Sequence, residues 1–214
     1  MTDQTDDSAQ ADYVADLPTF AIVDVETTGL DVGRHVVLEL AAIIYEPNDV
    51  GDYHVFDVVE LVPNHHLEVF AHAAPEAMAK NRYYERRVDK RTLRSDLTED
   101  MLISLQGKLS DVTLVGANPA FDARFLDALI ADKIPDLYTS EPPWNFRLLD
   151  VEALTMGLKK LTHVPGLTEC ANLWGIPVDP AQAHTALGDA WTTLRVLQAC
   201  LGHPITPHIA AATR

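Results

Sequence analysis

Three short, well-separated stretches of this chain carry acids and one histidine in a pattern able to do hydrolytic chemistry. They are Asp24-Val25-Glu26-Thr27-Thr28-Gly29-Leu30, Asn118-Pro119-Ala120-Phe121-Asp122 and His184-Thr185-Ala186-Leu187-Gly188-Asp189. Asp24, Glu26, Asp122 and Asp189 offer hard oxygen ligands, which Mg²⁺ and Mn²⁺ favour. Two such ions about 4 Å apart can clamp the attacking and leaving oxygens of an in-line phosphoryl displacement. His184, with an ordinary pKa near 6.5, can take the proton of the attacking water near neutral pH. Each stretch alone is weak. An isolated Asp-x-Glu can simply be solvated at a turn, and a first-turn Asp such as Asp122 can do no more than stabilise its helix. In this order and together, they are a set suited to cutting a phosphodiester.

The elements that must position these residues can be read from periodicity and punctuation. Residues 19–25 are apolar and β-branched, the pattern of a strand. Asp24 and Glu26 lie two apart on it, so both project from one face. Two carboxylates on a core face are costly unless a cation compensates them. Residues 36–45 and 54–62 read as further strands, set off by Gly29, Gly33 and the turn residues of 47–52, which predicts an antiparallel meander. Helices are expected over 75–84, with Pro75 at the first position, and over 98–109, with Thr98 as N-cap. A buried strand follows at 112–115. Asn118 is then expected to cap a helix over 119–131, with Asp122 one turn in. A strand at 146–149 and helices near 151–156, 167–174 and 186–201 complete the pattern. On one helix His184 and Asp189 would lie about 140° apart, so His184 is placed on the loop before it. The class is α/β: a mixed sheet with helices on both faces.

The bulk composition suits one domain. The chain has 214 residues, of which 47% are hydrophobic, enough for a sizeable core. No apolar run approaches the roughly 20 residues needed to span a bilayer, so no membrane partner is expected. The acidic N-terminus does not resemble a secretory signal. Cys170 and Cys200 have no motif spacing and read as free thiols in a reducing cytoplasm. The formal net charge of -16 argues against tight binding of a polyanion, yet seven of the basic residues cluster at Lys80, Arg82, Arg86, Arg87, Lys90, Arg91 and Arg94.

The three motifs together resemble those of the DEDDh 3′→5′ exonucleases, whose type member is the proofreading epsilon subunit of bacterial DNA polymerase III. The likeness covers roughly residues 18–202. It implies a ribonuclease H-like fold with a mixed five-stranded sheet, flanked by a disordered acidic tail at 1–17 and a C-terminal tail at 203–214. It also implies that Asp24, Glu26, Asp122 and Asp189 hold two Mg²⁺ or Mn²⁺ ions, that Glu26 and His184 act in catalysis, and that nucleoside 5′-monophosphates leave a single-stranded 3′ end. Thr27, Thr28, Leu30, Asn118 and Phe121 match positions that cradle the last nucleotides, and Glu76 is expected near the terminal sugar. Many relatives carry a His-Gly pair where this chain has Asn81-Arg82; Asn81 is the expected substitute contact.

Arg82, Arg86, Arg87 and Arg91 have no counterpart in the family pattern. They read either as a ridge guiding the strand or as a solvated helix with internal ion pairs such as Asp89–Arg86. Glu39, a lone acid in an apolar strand, is expected to support the site from behind or to pair with a neighbour. The Thr27-Thr28-Gly29-Leu30 version of the first motif favours DNA and a proofreading or repair type. An oligoribonuclease acting on RNA is the enzymatic rival, since nothing identified must read the 2′-hydroxyl. A non-catalytic partner of a DNA polymerase is the rival of another class.

Overall fold

Eight residues without glycine or proline, Phe20–Thr27, form the central strand β1. The computed structural model describes residues 17–139 and 141–207; most of the two expected tails lie outside the described residues. β2 (Val37–Pro47) and β3 (Tyr53–Leu61) continue from β1 as the expected antiparallel meander. β4 (Thr113–Gly116) and β5 (Leu149–Asp150) run parallel to β1, giving the order β3-β2-β1-β4-β5. Six helices accompany the sheet among the described residues: α1 (Pro75–Lys80), α2 (Ser95–Lys108), α3 (Pro119–Lys133), α4 (Val151–Lys159), α5 (Leu167–Leu173) and α6 (Ala186–Leu201).

The alternation of β1 divides the core into two layers. Ala21, Val23 and Val25 face Leu102 and Leu105 of α2 and Phe125, Leu126 and Leu129 of α3. Phe20 and Ile22 face the other way, onto Ala190, Leu194 and Leu197 of α6 and Cys170 of α5. A strand buried on both faces reads as a continuous apolar run, and β1 does so until Asp24 interrupts it. By the same alternation, Asp24 and Glu26 project to the α6 side.

Four local expectations are corrected. The helix begun at Pro75 stops at Lys80, because Arg82 takes a left-handed backbone conformation (φ 51°) that no helix continues. Helix α2 starts at Ser95, so Thr98 is no cap; it lies inside the helix, buried, and its hydroxyl has no hydrogen-bond partner. Asn118 occupies the N-cap of α3 but is left-handed (φ 63°) and makes no side-chain cap bond. The strand expected at 146–149 begins only at Leu149; Phe146 is 79% exposed in the preceding loop. Cys170 is buried and Cys200 half-buried, both free. Among the described residues, no helix is long and apolar enough to cross a membrane.

Candidate active site

The parallel pairing of β1 with β4 ends at Ile22 opposite Val115. Beyond that point the first turn of α3 replaces the missing strand. The Asp122 carboxylate accepts the N–H of Val25 at 2.9 Å, which fixes it against β1 beside Asp24 and Glu26. From the opposite layer, α6 contributes Asp189. The loop before α6 places His184, whose Nδ1 lies 3.8 Å from Asp189 Oδ2. Ligand atoms of Glu26, His184 and Asp189 all fall within 4.8 Å of one another. Asp24 and Asp122 are outside that tightest group but line the same cleft, which has a volume of about 990 Å³.

Local sequence explains the loop. Thr185 caps α6 by accepting the N–H of Gly188 at 3.0 Å, and its hydroxyl donates to the Gln182 carbonyl at 2.8 Å. Gly188 is required for this closure: a Cβ there would lie 2.2 Å from the Gln182 carbonyl oxygen. His184 is left-handed (φ 59°), and its own N–H points at the Asp189 carboxylate, 3.3 Å from Oδ2. The histidine expected on a loop is built into a tight turn.

The electrostatics are those of crowded acids. Burial, and then the charges of Asp122, Asp189 and Glu26, raise Asp24 well above the ordinary carboxylate range. Burial foremost, followed by Asp189 and Glu39, pushes Glu26 up to about 7. Asp122 is pushed up to about 8, again mainly by burial, and Asp189 to about 6. Four desolvated carboxylates that repel one another are a site awaiting positive charge. Burial and the nearby Lys80 and Arg82 press His184 below its ordinary value, so its imidazole is neutral at pH 7 and free to accept a proton.

The exonuclease family model known as RNase T matches residues 21–197. The chain belongs to this family. No curated protein matches it. Among solved structures, this RNase T-family chain is similar to exonuclease I at 13% identity and a TM-score of 0.64, covering 87% of this chain and 41% of that one. It is similar to a full-length 3′-exonuclease at 14% identity and a TM-score of 0.61, covering 86% and 60%. A third match is E. coli Exonuclease I in complex with a 5cy-dA13 oligonucleotide, at 15% identity, a TM-score of 0.62, and coverage of 86% and 40%. The chain thus spans about two fifths to three fifths of the length of these proteins. The likeness establishes the ribonuclease H-like exonuclease fold, with its mixed five-stranded sheet.

Of the other expected residues in this family member, Thr27, Leu30, Glu76, Asn118 and Phe121 line the cleft with the acids. Leu30 is 79% exposed at its mouth. Thr28 and Asn81 are not so placed. Thr28 is fully buried, and its hydroxyl accepts the Val36 N–H at 3.0 Å. Asn81 is also buried; it donates to the Thr27 carbonyl at 3.2 Å and accepts the Tyr83 N–H at 3.1 Å, so its amide is used up in holding the first motif.

The basic segment is not a solvated helix with internal pairs. It is a series of turns with a short 3-10 helix at Val88–Lys90, and Arg86 pairs with Glu39 rather than Asp89. Arg86 grips both carboxylate oxygens of Glu39; Arg91 binds Glu39 and also Glu60. Arg82 donates to the Ala181 and Ala183 carbonyls. Arg82, Arg86 and Arg91 are thus directed at protein acceptors, because a carboxylate buried in β2 and a turn rich in free carbonyls lie within their reach; Arg87 is exposed. Glu39 pairs with neighbours, as one of its two readings expected.

Sequence reasoning did not single out Lys80 from its basic cluster. It lies at the end of α1, and among the described residues lining the cleft it is the one lysine or arginine. It also did not foresee the far wall, where Glu152 and residues 166–169 line the cleft. They are distant in sequence from the three motifs, and the packing of α4 and α5 against α6 brings them there.

Proposed function

We propose that this chain is a metal-dependent 3′→5′ exonuclease of the DEDDh type, acting on single-stranded 3′ ends, with DNA as the favoured substrate. The observation that carries this is the convergence of Asp24, Glu26, Asp122, His184 and Asp189 in one cleft. The donor set fits divalent cations: raised carboxylates with hard oxygens, and no cysteine among the residues lining the cleft. Asp24, Glu26, Asp122 and Asp189 would hold two Mg²⁺ or Mn²⁺. When bound, such ions supply positive charge that offsets the charge developing on phosphate oxygens.

The chain's own residues do the rest. His184, neutral at pH 7 and turned by its Nδ1 toward Asp189, takes the proton of the attacking water at its other nitrogen, Nε2. The Asp189 carboxylate, 3.8 Å from Nδ1, stabilises the imidazolium by its charge. The water oxygen bonds to phosphorus as the bond from phosphorus to the 3′ oxygen breaks. A nucleoside 5′-monophosphate leaves, and the strand ends in a new 3′-hydroxyl. Lys80 sits among the acids as the cleft cation available to a phosphate. Leu30 and Phe121 offer apolar surface to the terminal bases, and Glu76 lies where a terminal sugar hydroxyl can be bound.

Exonuclease I has been solved with single-stranded oligonucleotides, which supports a single strand as the ligand of this fold. Nothing in the cleft geometry requires a polymerase, and proofreading is left as one setting for the same chemistry. The test is digestion of end-labelled DNA and RNA oligonucleotides with Mg²⁺ or Mn²⁺. Stepwise release of 5′-monophosphates from the 3′ end, faster on DNA and abolished by EDTA, is expected. Faster release from RNA would move the reading to the oligoribonuclease type, and no cleavage would refute it.

A further inference from the structure

Among the described residues, the loop that carries His184 is joined to α6 by the bonds of Thr185 and His184, and to the segment after α1 by the guanidinium of Arg82. Within the loop, Gln182 and Ala183 donate to the Asp179 carbonyl at 2.9 and 3.0 Å, and Ala181 donates to the Asp179 side chain at 2.9 Å. These bonds shape the turn and do not reach the segment that follows α1. Arg82 makes that link. Its Nη2 donates to the carbonyls of Ala183 at 2.9 Å and Ala181 at 3.1 Å, the two carbonyls that flank Gln182 just before the histidine. A guanidinium nitrogen with two N–H groups can serve two acceptors at once in a fixed plane.

Arg82 is itself held with unusual care. It sits in a left-handed conformation (φ 51°), which is unfavourable for a non-glycine residue and persists only where its surroundings impose it. They do so on both sides. Asn81 before it is buried and donates to the Thr27 carbonyl at the end of β1. Arg86 after it donates through Nε to the Asn81 carbonyl at 2.7 Å and grips Glu39 with its fork. Glu39 lies directly across from Glu26 in the β1–β2 pairing. A continuous chain of contacts therefore runs from the strand that carries Glu26, through Arg86 and Asn81, to Arg82 and on to the turn of His184.

We propose that Arg82 is a positioning residue: it fixes the His184 turn at a set distance from Glu26 and Asp189, and it does not bind the nucleic-acid strand. The proposal rests on the reading of His184 as the general base. It replaces the strand-guiding reading of Arg82 with a different role for the same side chain. A misplacement of about 1 Å in a catalytic group can cost on the order of a hundredfold in rate, so loss of this tie should reach turnover without touching affinity.

The experiment uses the full chain with Mn²⁺ and end-labelled single-stranded oligonucleotides of two lengths. Arg82→Ala should lower kcat by about ten- to a hundredfold, with KM within about twofold of wild type at both lengths. Arg82→Lys, which keeps a donor but not the planar fork, should fall between. In a His184→Ala background, Arg82→Ala should cost less than about twofold, since residues acting through one another are non-additive. Hydrogen exchange across residues 179–186 should quicken in Arg82→Ala with or without substrate. A KM that rises with strand length, a kcat loss that persists in the His184→Ala background, or unchanged exchange would each overturn the proposal. A wild type that cleaves nothing would instead remove the exonuclease reading, and the exchange measurement would still decide whether Arg82 holds the turn. Should Arg82→Ala fail to fold, Arg82→Lys carries the same comparisons.

Discussion

One methyl group is too much at position 188. The Gln182 carbonyl approaches so near that a Cβ would stand 2.2 Å from its oxygen, and 2.7 Å from Thr185 Oγ1, the atom that caps α6. Neither is the loose end of a flexible side chain, so Gly188→Ala must push the 182–185 turn away from α6. Overpacking of this kind costs about 1–3 kcal/mol. The turn carries His184, so the loss should be uneven: a modest fall in melting temperature with a fall in kcat of at least about tenfold, of the size that general-base misplacement brings. Steady-state kinetics beside a thermal melt would check it, and near-wild-type turnover would show that the turn relaxes without moving the histidine. His184→Ala asks the complementary question. Its imidazole is half exposed and packs into no core, so the variant should keep its melting temperature and its Mn²⁺-induced shift while kcat drops about 10²- to 10⁴-fold. A variant that lost the Mn²⁺ shift as well would make His184 a ligand alongside Glu26 and Asp189 rather than the base.

At the scale of elements, the segment between α1 and α2 is a brace. Glu39 is 2% exposed in β2, and Arg86 reaches it with both guanidinium nitrogens. Removing one partner of a buried pair costs about 3–5 kcal/mol where the charge is left uncompensated; Arg91 still reaches Glu39, which places the cost toward the lower end. Arg86→Ala should therefore lower stability severely in a denaturant titration. Arg91→Ala should cost less than about 1 kcal/mol, because Arg91 is 43% exposed and its pair is screened by water. Equal losses would mean that Glu39 leans on the two arginines alike.

The same segment shows what a sequence can and cannot disclose. The strands were legible because burial imposes a period on neighbouring residues: β1, β2 and β3 stand within two residues of their expected bounds. The five site residues were legible because their types are chemically restrictive, and the structure brings all of them to one cleft. The surroundings of Asn81 and Thr28 were not legible because their partners are tertiary. Asn81 answers to Thr27, 54 residues away, and Arg82 to Ala183, 101 residues away. No local pattern distinguishes an arginine aimed at a phosphate from one aimed at a distant carbonyl. Thr98 failed for a related reason: the helix begins at Ser95 behind Arg94, which makes no side-chain cap bond, and Thr98 is buried with Leu102 and Leu105 on the core face.

For the molecule as a whole, the site is a stored repulsion. The chain carries a formal net charge of -16, and seven of its acids line one cleft, with Asp24, Glu26, Asp122 and Asp189 desolvated together in it. Their folded-state pKa values lie above the ordinary 3.9–4.3 of unfolded Asp and Glu: about 6 for Asp189, about 7 for Glu26, about 8 for Asp122, and well raised for Asp24. Between pH 4 and pH 8 these four acids thus bind more protons in the folded protein than in the unfolded chain. Stability contributed by the protonated acids is complete below pH 4 and drains away as pH rises through the folded values. His65, His184 and His203, all lowered, act in the opposite sense near their ordinary 6.5. The comparison that isolates the acids is wild type against Asp24→Asn. In EDTA, the wild type should lose melting temperature more steeply from pH 5 to pH 8, and Asp24→Asn should be the more stable protein at pH 8. Mn²⁺ at about a hundred times its dissociation constant should restore about 2.7 kcal/mol to the wild type at pH 8, or about 5–10 °C in a protein of this size, and much less to the variant. Parallel pH curves for the two proteins in EDTA would mean that Asp24 is not part of a repulsive cluster. A full Mn²⁺ shift in Asp24→Asn would mean that the cation is held without it.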